Sequence, residues 1–320
     1  MTNRLTPVPA GRPTFLDVPR CTELRTLEAD VAVVGVPFAA PYDLQTAAAQ
    51  SRGPAALREQ SMAYVPWYAT NYDFDFGGDL FAGRSIRIVD CGDVAMVPGR
   101  WDETSRATTE AVKTVLDRGA VPFVLGADDS VPIPVLRAYS EQPPMCIVQI
   151  DAHIDWRDER EGIRDGLSSP MRRASEMPWI RGMAQIGLRG FGSGRRVEFD
   201  DARAYGSVLI GAAEVHRAGV EAALARVPAA ERYFITFDAD GLDPSIAPAV
   251  ASPAFGGLTY DEASEILRGI AARGRVAGFD AVEIMPDVPG GPMTCRVTVR
   301  LMLNLLGALA HAGRLGGRPR

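Results

Sequence analysis

The fold of this chain is decided by residues 145–155, MCIVQIDAHID. The apolar first half predicts a buried strand of a parallel sheet, and open α/β sheets bind ligands at the ends of such strands. Asp151, His153 and Asp155 follow at spacings of two, so in an extended segment their side chains project to the same side. Two carboxylates and an imidazole at one point favour a cation between them. The triplet alone is equally compatible with a polar strand end followed by a turn.

Length and composition describe an ordinary globular protein. The chain has 320 residues, of which 47% are hydrophobic and 23% are charged. There is no long uninterrupted apolar run and no apolar leader at the polar, proline-rich start, which predicts neither a membrane span nor a secretory signal. A net charge of −6 argues against a nucleic-acid binder. The four scattered cysteines lack CxxC spacing and predict reduced thiols in a cytoplasmic protein.

Strand-like runs alternate with helical patterns along most of the chain. Strands are predicted at 30–38, 86–94, 121–125, 145–151, 183–189, 208–210, 233–237 and 276–283. Helices are predicted at 54–61, 103–117, 195–204, 217–226, 260–273 and 294–310. This alternation predicts βαβ units and an α/β fold with a doubly wound, mostly parallel sheet. We expect an irregular N-terminal arm over 1–28, a single domain over 29–312 and a short basic tail over 313–320.

Two further strand ends are rich in aspartate. Asp238 and Asp240 close one strand at a spacing of two, and Asp128 and Asp129 close another. Adjacent strand residues point to opposite sides, so only one of Asp128 and Asp129 can face the same point as the other clusters. Hard oxygen ligands with one imidazole favour Mn²⁺, Mg²⁺ or a similar divalent ion. Two ions about 3.5–4 Å apart would explain why so many carboxylates are present.

These motifs give the chain a resemblance to the arginase/agmatinase (ureohydrolase) family, closer to its agmatinase-like members, from about Asp30 to Leu306. Residues 126–130 resemble the family's GGDHS, residues 151–155 its DAHxD, residues 236–244 its SxDxDxxDP and residues 279–286 its FD-x-VE-x-x-P. The resemblance implies a three-layer αβα fold with an eight-stranded sheet. It also implies a binuclear centre of Mn²⁺, or Ni²⁺, whose bridging hydroxide hydrolyses a guanidino group to urea and an amine, in a homo-trimer or homo-hexamer.

Position by position, the resemblance assigns roles to individual residues. The metal ligands would be Asp129, Asp151, His153, Asp155, Asp238 and Asp240. Asp151 and Asp238 would span the two ions, whereas His153 and Asp240 would belong to one ion and Asp155 to the other.

Further residues are expected to act on the substrate or to support the ligands. Glu283 would receive the guanidinium, because a carboxylate matches its planar fork of N–H donors, and Glu283 and Asp155 are the predicted catalytic residues. Ser168 and Trp156 are predicted to shape the substrate pocket. Asp128 and Asp243 would hold loops and ligands in place.

Two positions depart from the family pattern. Asp129 stands where GGDHS has its histidine, and Leu167 stands where the agmatinase segment HG-x-PFRR has one. The first change gives five carboxylates and one imidazole, which should make the ions poorer Lewis acids and favour harder metals. The two other histidines, His216 and His311, lie outside the motifs and are expected to be structural or surface residues.

Two functional classes remain open from the sequence. In the first, the chain is an active metal-dependent C–N hydrolase acting on a small guanidino compound, a guanidino acid or a related amidine. In the second, it is a weakly active or inactive partner of an active paralogue, as in heteromeric relatives that act on biguanides such as metformin. The intact acidic positions favour the first class, because uncompensated buried carboxylates destabilise a fold and a decayed site tends to lose them.

Overall fold

The computed structural model of the chain describes residues 5–38, 42, 44–96, 100–191 and 194–317. The first four residues of the predicted arm and the last three of the predicted tail lie outside this range. Within the described residues, all four cysteines are free thiols and three of them are buried.

A mixed sheet forms the centre of the molecule. The strands are β1 (Leu5–Thr6), β2 (Val31–Val36), β3 (Tyr72–Asp73), β4 (Gly78–Asp79), β5 (Ile88–Val94), β6 (Val121–Gly126), β7 (Met145–Ile150), β8 (Ile180–Leu188), β9 (Val208–Gly211), β10 (Arg232–Asp238) and β11 (Arg275–Val282). Across the described residues the main sheet has nine strands in the order β1-β5-β2-β6-β11-β10-β7-β8-β9. Only β1 is antiparallel to its neighbour. The predicted mostly parallel sheet is confirmed, with the two-residue β1 as a strand beyond the eight expected.

Helices cover both faces of the sheet. They are α1 (Leu44–Gln50), α2 (Gly53–Ser61), α3 (Trp101–Asp117), α4 (Pro132–Arg137), α5 (Pro170–Ser175), α6 (Arg196–Tyr205), α7 (Ala212–Ala218), α8 (Val220–Arg226), α9 (Tyr260–Arg273) and α10 (Gly291–His311). The helix predicted over 217–226 is divided between α7 and α8, because Gly219 takes a left-handed φ of 84° between them. His216 therefore lies inside α7.

The three-layer arrangement follows from the alternation of side chains along each strand. In β2, Val31 and Val33 belong to the core cluster that includes α2 and α7–α10, whereas Ala32 and Val34 belong to the cluster that includes α3–α6 on the opposite face. The longest helix, α10, is apolar enough in composition to cross a membrane, but 78% of its apolar window is buried inside the protein. It is a core helix that packs against α9 and α2.

The segment before the first long strand packs onto the domain. Phe15 and Leu16 are fully buried, and their backbone N–H groups donate to the side chains of Asp90 and Ser61 at 2.8 and 2.7 Å. The arm therefore contributes to the core on the α2 face of the sheet.

Strand order places four acidic segments side by side. Strands β6, β11, β10 and β7 are consecutive neighbours in the sheet and run parallel. Their carboxyl ends therefore meet at one edge, and each is followed by acidic residues. This edge is where doubly wound sheets bind ligands.

Candidate metal centre and active site

Five of the six predicted metal ligands converge at this edge in two overlapping groups. Ligand atoms of Asp151, His153 and Asp240 all lie within 4.8 Å of one another, and so do those of Asp129, Asp151 and Asp238. Asp151 belongs to both groups. Two overlapping groups of this kind could hold two neighbouring cations.

Asp155 lies beside these groups without joining either of them. It lines the same cavity as Asp129, His153 and Asp238, and it is buried. Its backbone takes a left-handed φ of 52°, which is uncommon for a residue with a side chain. Strained backbone of this kind is concentrated at functional sites.

Backbone hydrogen bonds connect the loops that carry the ligands. The Asp238 side chain accepts from the Asp240 N–H at 2.7 Å, and Asp240 accepts from the Ala152 N–H at 3.1 Å. Asp151 in turn accepts from the His153 N–H at 2.5 Å. The loops are also in close contact at Gly241, where an added Cβ would lie 2.9 Å from the Asp151 nitrogen. The segments after β7 and β10 therefore hold each other in position.

Burial and mutual repulsion dominate the electrostatics of the cluster. Burial raises the pKa of Asp151 and of Asp238 well above the ordinary range, and neighbouring carboxylates raise both further. Burial alone would lower the pKa of His153, but the adjacent Asp151 and Asp240 outweigh it and raise that pKa to about 12. His153 Nδ1 lies 3.0 Å from Asp240 Oδ2. The negative charge of the cluster thus requires positive charge nearby.

The surroundings of the Asp129 carboxylate show whether the residues of the cluster suit a metal ion. Burial raises its pKa well above the usual range, followed by repulsion from Asp155 and Asp151. Both of its oxygens are buried, and neither has a hydrogen-bond partner within the described residues. Buried polar atoms of proteins are normally hydrogen-bonded or bound to metals, so the donor set fits divalent cations.

The neighbouring Asp128 does not line the cavity, and both aspartates lie in a turn after the end of β6. Asp128 Oδ1 accepts hydrogen bonds from the N–H and the hydroxyl of Ser130, at 3.1 and 2.5 Å. Asp128 therefore stabilises the turn that presents Asp129 to the cluster.

Glu283 faces the same cavity from the end of β11. It takes a left-handed φ of 67°, and its N–H donates to Ala127 O at 2.8 Å. Its two carboxylate oxygens accept from the Asp129 N–H at 2.9 Å and from Gln50 Nε2 at 2.5 Å. Sequence reasoning did not identify Gln50, which reaches Glu283 from the end of α1.

A buried chain of hydrogen bonds supports the ligands from behind. Gln149 Nε2 donates to Asp151 at 2.6 Å and to Asp155 at 3.0 Å, while its Oε1 accepts from Gln185 Nε2 at 2.6 Å. Gln185 Oε1 accepts from the Trp156 indole at 2.8 Å and from the Ser207 hydroxyl at 2.9 Å. The signal available in the sequence was a glutamine inside each of two apolar strands, β7 and β8.

These hydrogen bonds also change the interpretation of Trp156. The side chain is buried in the core, where its ring packs against Tyr205 at a centroid distance of 5.7 Å and an interplanar angle of 55°. It is not among the residues that line the cavity. Trp156 therefore positions Gln185 in this structure and does not form a wall of the predicted substrate pocket. Ser168, by contrast, does line the cavity.

Two residues hold the loop that follows β10. Arg189 donates to the backbone oxygens of Asp240, Leu242 and Ala254 at 2.5, 3.0 and 2.8 Å. Asp243 accepts hydrogen bonds from the N–H groups of residues 245, 256 and 257. These bonds, of which those from Ser245 have the largest effect, lower the pKa of Asp243 to about 2. Asp243 was expected to hold a loop, whereas Arg189 was not identified from the sequence.

The cavity is small and highly charged. Its volume is about 260 Å³, and Leu167, Ser168, Arg157 and Arg160 line it together with the acidic residues. The two other histidines lie elsewhere: His216 pairs with Glu262 at 2.7 Å, and exposed His311 stacks on Phe76.

Comparison with known proteins places this site within one family. Residues 29–307 match the model of the arginase family, and the chain belongs to that family. A guanidinopropionase of Pseudomonas aeruginosa is 30% identical, over 95% of this chain and 93% of the relative. An agmatinase of Salmonella newport is 29% identical, over 91% of each chain. The solved structure of proclavaminate amidino hydrolase from Streptomyces clavuligerus superimposes with a TM-score of 0.81 at 27% identity, over 95% of this chain and 98% of that one.

Proposed function

We propose that the protein is a metal-dependent hydrolase that cleaves a guanidino C–N bond of a small substrate and releases urea and an amine. The observation that carries this proposal is the Asp129 carboxylate. It is buried without a hydrogen-bond partner among the described residues, in a cavity that it shares with His153 and further carboxylates. Relatives named guanidinopropionase and agmatinase act on guanidino compounds by name, which supports the same substrate class here.

Two divalent cations fit the donor set. Asp129, Asp151 and Asp238 would hold one of them, and Asp151, His153 and Asp240 the other, with Asp155 beside them. Bound there, the ions would supply Lewis acidity and activate water for attack at neutral pH. A set dominated by carboxylates favours Mn²⁺, with Ni²⁺ as the second candidate.

Glu283 is suited to orient the substrate. Each of its carboxylate oxygens already accepts one hydrogen bond, from Asp129 N–H and from Gln50. An ionised carboxylate has about four acceptor positions, so Glu283 can still accept N–H donors from a guanidinium. Because its backbone and both oxygens are fixed, little freedom is lost when the substrate binds.

The leaving amine requires a proton, which Leu167 cannot supply at the position where the family has a histidine. Asp155 is the best-placed group of this chain. Gln149 holds its carboxylate from behind, and this carboxylate would take a proton from the attacking water and return it to the amine nitrogen.

We also propose a cytoplasmic homo-trimer or homo-hexamer as the working form. The alternative of an inactive partner subunit is not favoured. A chain released from catalysis gains stability by losing buried carboxylates, whereas in this chain five acidic side chains line one cavity: Asp129, Asp155, Asp238, Asp240 and Glu283.

Urea release tests the proposal. The protein is loaded with Mn²⁺ and assayed against a panel of guanidino compounds, together with Asp129→Asn and with Asp102→Asn as the matched control at an exposed position. Urea from at least one compound, lost in Asp129→Asn and kept in Asp102→Asn, supports the proposal. No urea from any compound with Mn²⁺ or Ni²⁺ would overturn it.

A further inference from the structure

Two of the residues that line the cavity are arginines, and the proposed reaction assigns no role to either of them. Among the described residues, the other charged side chains of the cavity are the predicted metal ligands and Glu283. Arg157 and Arg160 are therefore the described charges of this cavity that neither metal binding nor guanidinium binding accounts for. A cation at the wall of a substrate cavity is a recognition group for an anionic part of the substrate.

Arg160 is held by a ring and not by a strong ion pair. Its guanidinium lies 4.8 Å from the centre of the Tyr42 ring, a stacking arrangement that fixes its direction. Within the described part of the chain, its ion pair is a long contact of 3.8 Å with the exposed Glu161. The guanidinium hydrogen-bond donors thus remain available on the cavity side.

Ser168 places a hydroxyl in the same wall. The Arg157 N–H donates to Ser168 O at 2.9 Å, so these two residues are direct neighbours. Ser168 is only 4% exposed and lines the cavity, yet its Oγ has no hydrogen-bond partner among the described residues. A buried hydroxyl without a partner is unfavourable, and a bound ligand with an acceptor oxygen would remove that cost.

Tyr42 and Ser169 extend the same pattern. Their hydroxyl oxygens are also buried and lack a hydrogen bond to any described residue. Tyr42 and the two serines lie close enough to interact, but not in hydrogen-bond geometry. The Tyr42 hydroxyl rests directly against Gly166, where a Cβ would collide with it. These two hydroxyls lie next to Ser168, behind the residues that line the cavity.

We propose that Arg157, Arg160 and Ser168 bind a carboxylate of the substrate, so that the substrate class is a guanidino acid. The inference rests on the proposed function, because the guanidinium of the same molecule must reach Glu283. A substrate carboxylate can accept hydrogen bonds from these three side chains. The ammonium of a guanidino amine would instead be repelled by both arginines. The site thus selects substrates by charge at the end opposite to the reacting group.

Substrates matched in length and different in tail charge test the proposal. Urea release by the Mn²⁺-loaded protein is measured for ω-guanidino acids, ω-guanidino amines and alkylguanidines with three- and four-carbon chains. The expected kcat/KM for an acid exceeds that for the amine of the same length by at least about tenfold, since a hydrogen bond to a charged group contributes about ten- to hundredfold.

Arginine variants then locate the recognition. Arg157→Gln and Arg160→Gln should each lower kcat/KM for the acid by about ten- to hundredfold, mainly through KM, and leave the alkylguanidine nearly unchanged. Arg164→Gln is the matched control, because Arg164 lies in the same segment, is exposed and does not line this cavity. Calorimetric titration with the acid gives the same comparison for binding without turnover.

The outcomes separate this inference from the proposed function. Urea release with equal preference for acids and amines, or equal losses on all three substrates in the arginine variants, overturns carboxylate recognition and leaves the hydrolase proposal standing. If no substrate releases urea, the hydrolase proposal fails, and calorimetric titration with the acid then tests the carboxylate site alone. Binding of the acid that is lost in Arg157→Gln and kept in Arg164→Gln supports the carboxylate site, and absence of binding overturns it.

Discussion

Replacing Gln149 with leucine should weaken metal binding while the fold is kept. The amide donates to Asp151 at 2.6 Å and to Asp155 at 3.0 Å, so it holds two acidic groups from behind. Leucine has a similar volume and removes both donors. Gln185 also loses its acceptor on Gln149.

The expected size follows from these contacts. A hydrogen bond to a charged group contributes about 1.5–3 kcal/mol, and groups that orient metal ligands typically change metal affinity by about 10- to 100-fold. We therefore expect a Mn²⁺ dissociation constant about 10- to 100-fold higher in Gln149→Leu. The metal-free protein should lose on the order of 2 kcal/mol of unfolding free energy.

Calorimetric Mn²⁺ titration and urea denaturation measure the two effects separately. Ser207→Ala is the matched control, because Gln185 Oε1 keeps its bond from Trp156 and the bonds to the carboxylates are untouched. That variant should bind Mn²⁺ within about threefold of the parent, because it leaves a single neutral hydrogen bond unmade. An unchanged Mn²⁺ affinity in a folded Gln149→Leu protein would refute the positioning role.

Three further predictions concern charge. Burial raises the pKa of Asp280 to about 7 from 3.8, and each pKa unit corresponds to about 1.4 kcal/mol. The stability advantage of Asp280→Asn should therefore grow by about 4 kcal/mol between about pH 4 and about pH 8 in urea denaturation; a constant difference would contradict this. The raised pKa values of Asp129, Asp151 and Asp238 mean that the folded metal-free chain holds more protons than the unfolded chain. Its melting temperature should fall from about pH 5 to about pH 8, and saturating Mn²⁺ should reverse that slope, because bound ligands are deprotonated. Finally, Asp129→His should shift calorimetric preference from Mn²⁺ towards Ni²⁺; unchanged affinities for both ions would show that residue 129 faces away from the metals.

The most strongly periodic segments of the sequence were sufficient to predict the fold. The apolar runs that became β6, β7, β10 and β11 were identified within a residue or two, and their parallel pairing is confirmed. Such buried strands have a clear signal because both of their faces are apolar. Strand β1 was missed because two residues carry no periodicity, and it exists through its pairing with β5.

Short helices were missed for a similar reason. The six-residue helices α4 and α5 begin at prolines within irregular sequence, and tertiary packing rather than propensity stabilises such short segments. The division at Gly219 was not predicted, because its effect depends on a positive φ that sequence alone does not specify.

The sequence predicted which acidic residues form the site but not the hydrogen-bonded residues that hold them in place. Acidic residues at strand ends revealed Asp129, Asp151 and Asp238, and the structure brings their ligand atoms together, although their roles remain predictions. The chain from Gln149 through Gln185 joins residues 36 positions apart, and such contacts are set by strand order. Trp156 looked like a pocket residue because it is adjacent to Asp155 in sequence, whereas its side chain turns into the core.

The number of metal ions bound per chain is the direct test of a two-ion site. The protein is saturated with Mn²⁺, freed of excess metal, and measured by inductively coupled plasma mass spectrometry together with Asp151→Ala, which removes the carboxylate shared by both groups. We expect close to two ions per chain for the parent, as in a binuclear site, and a large loss in the variant. Less than one ion per folded chain, or equal metal content in both proteins, would contradict it.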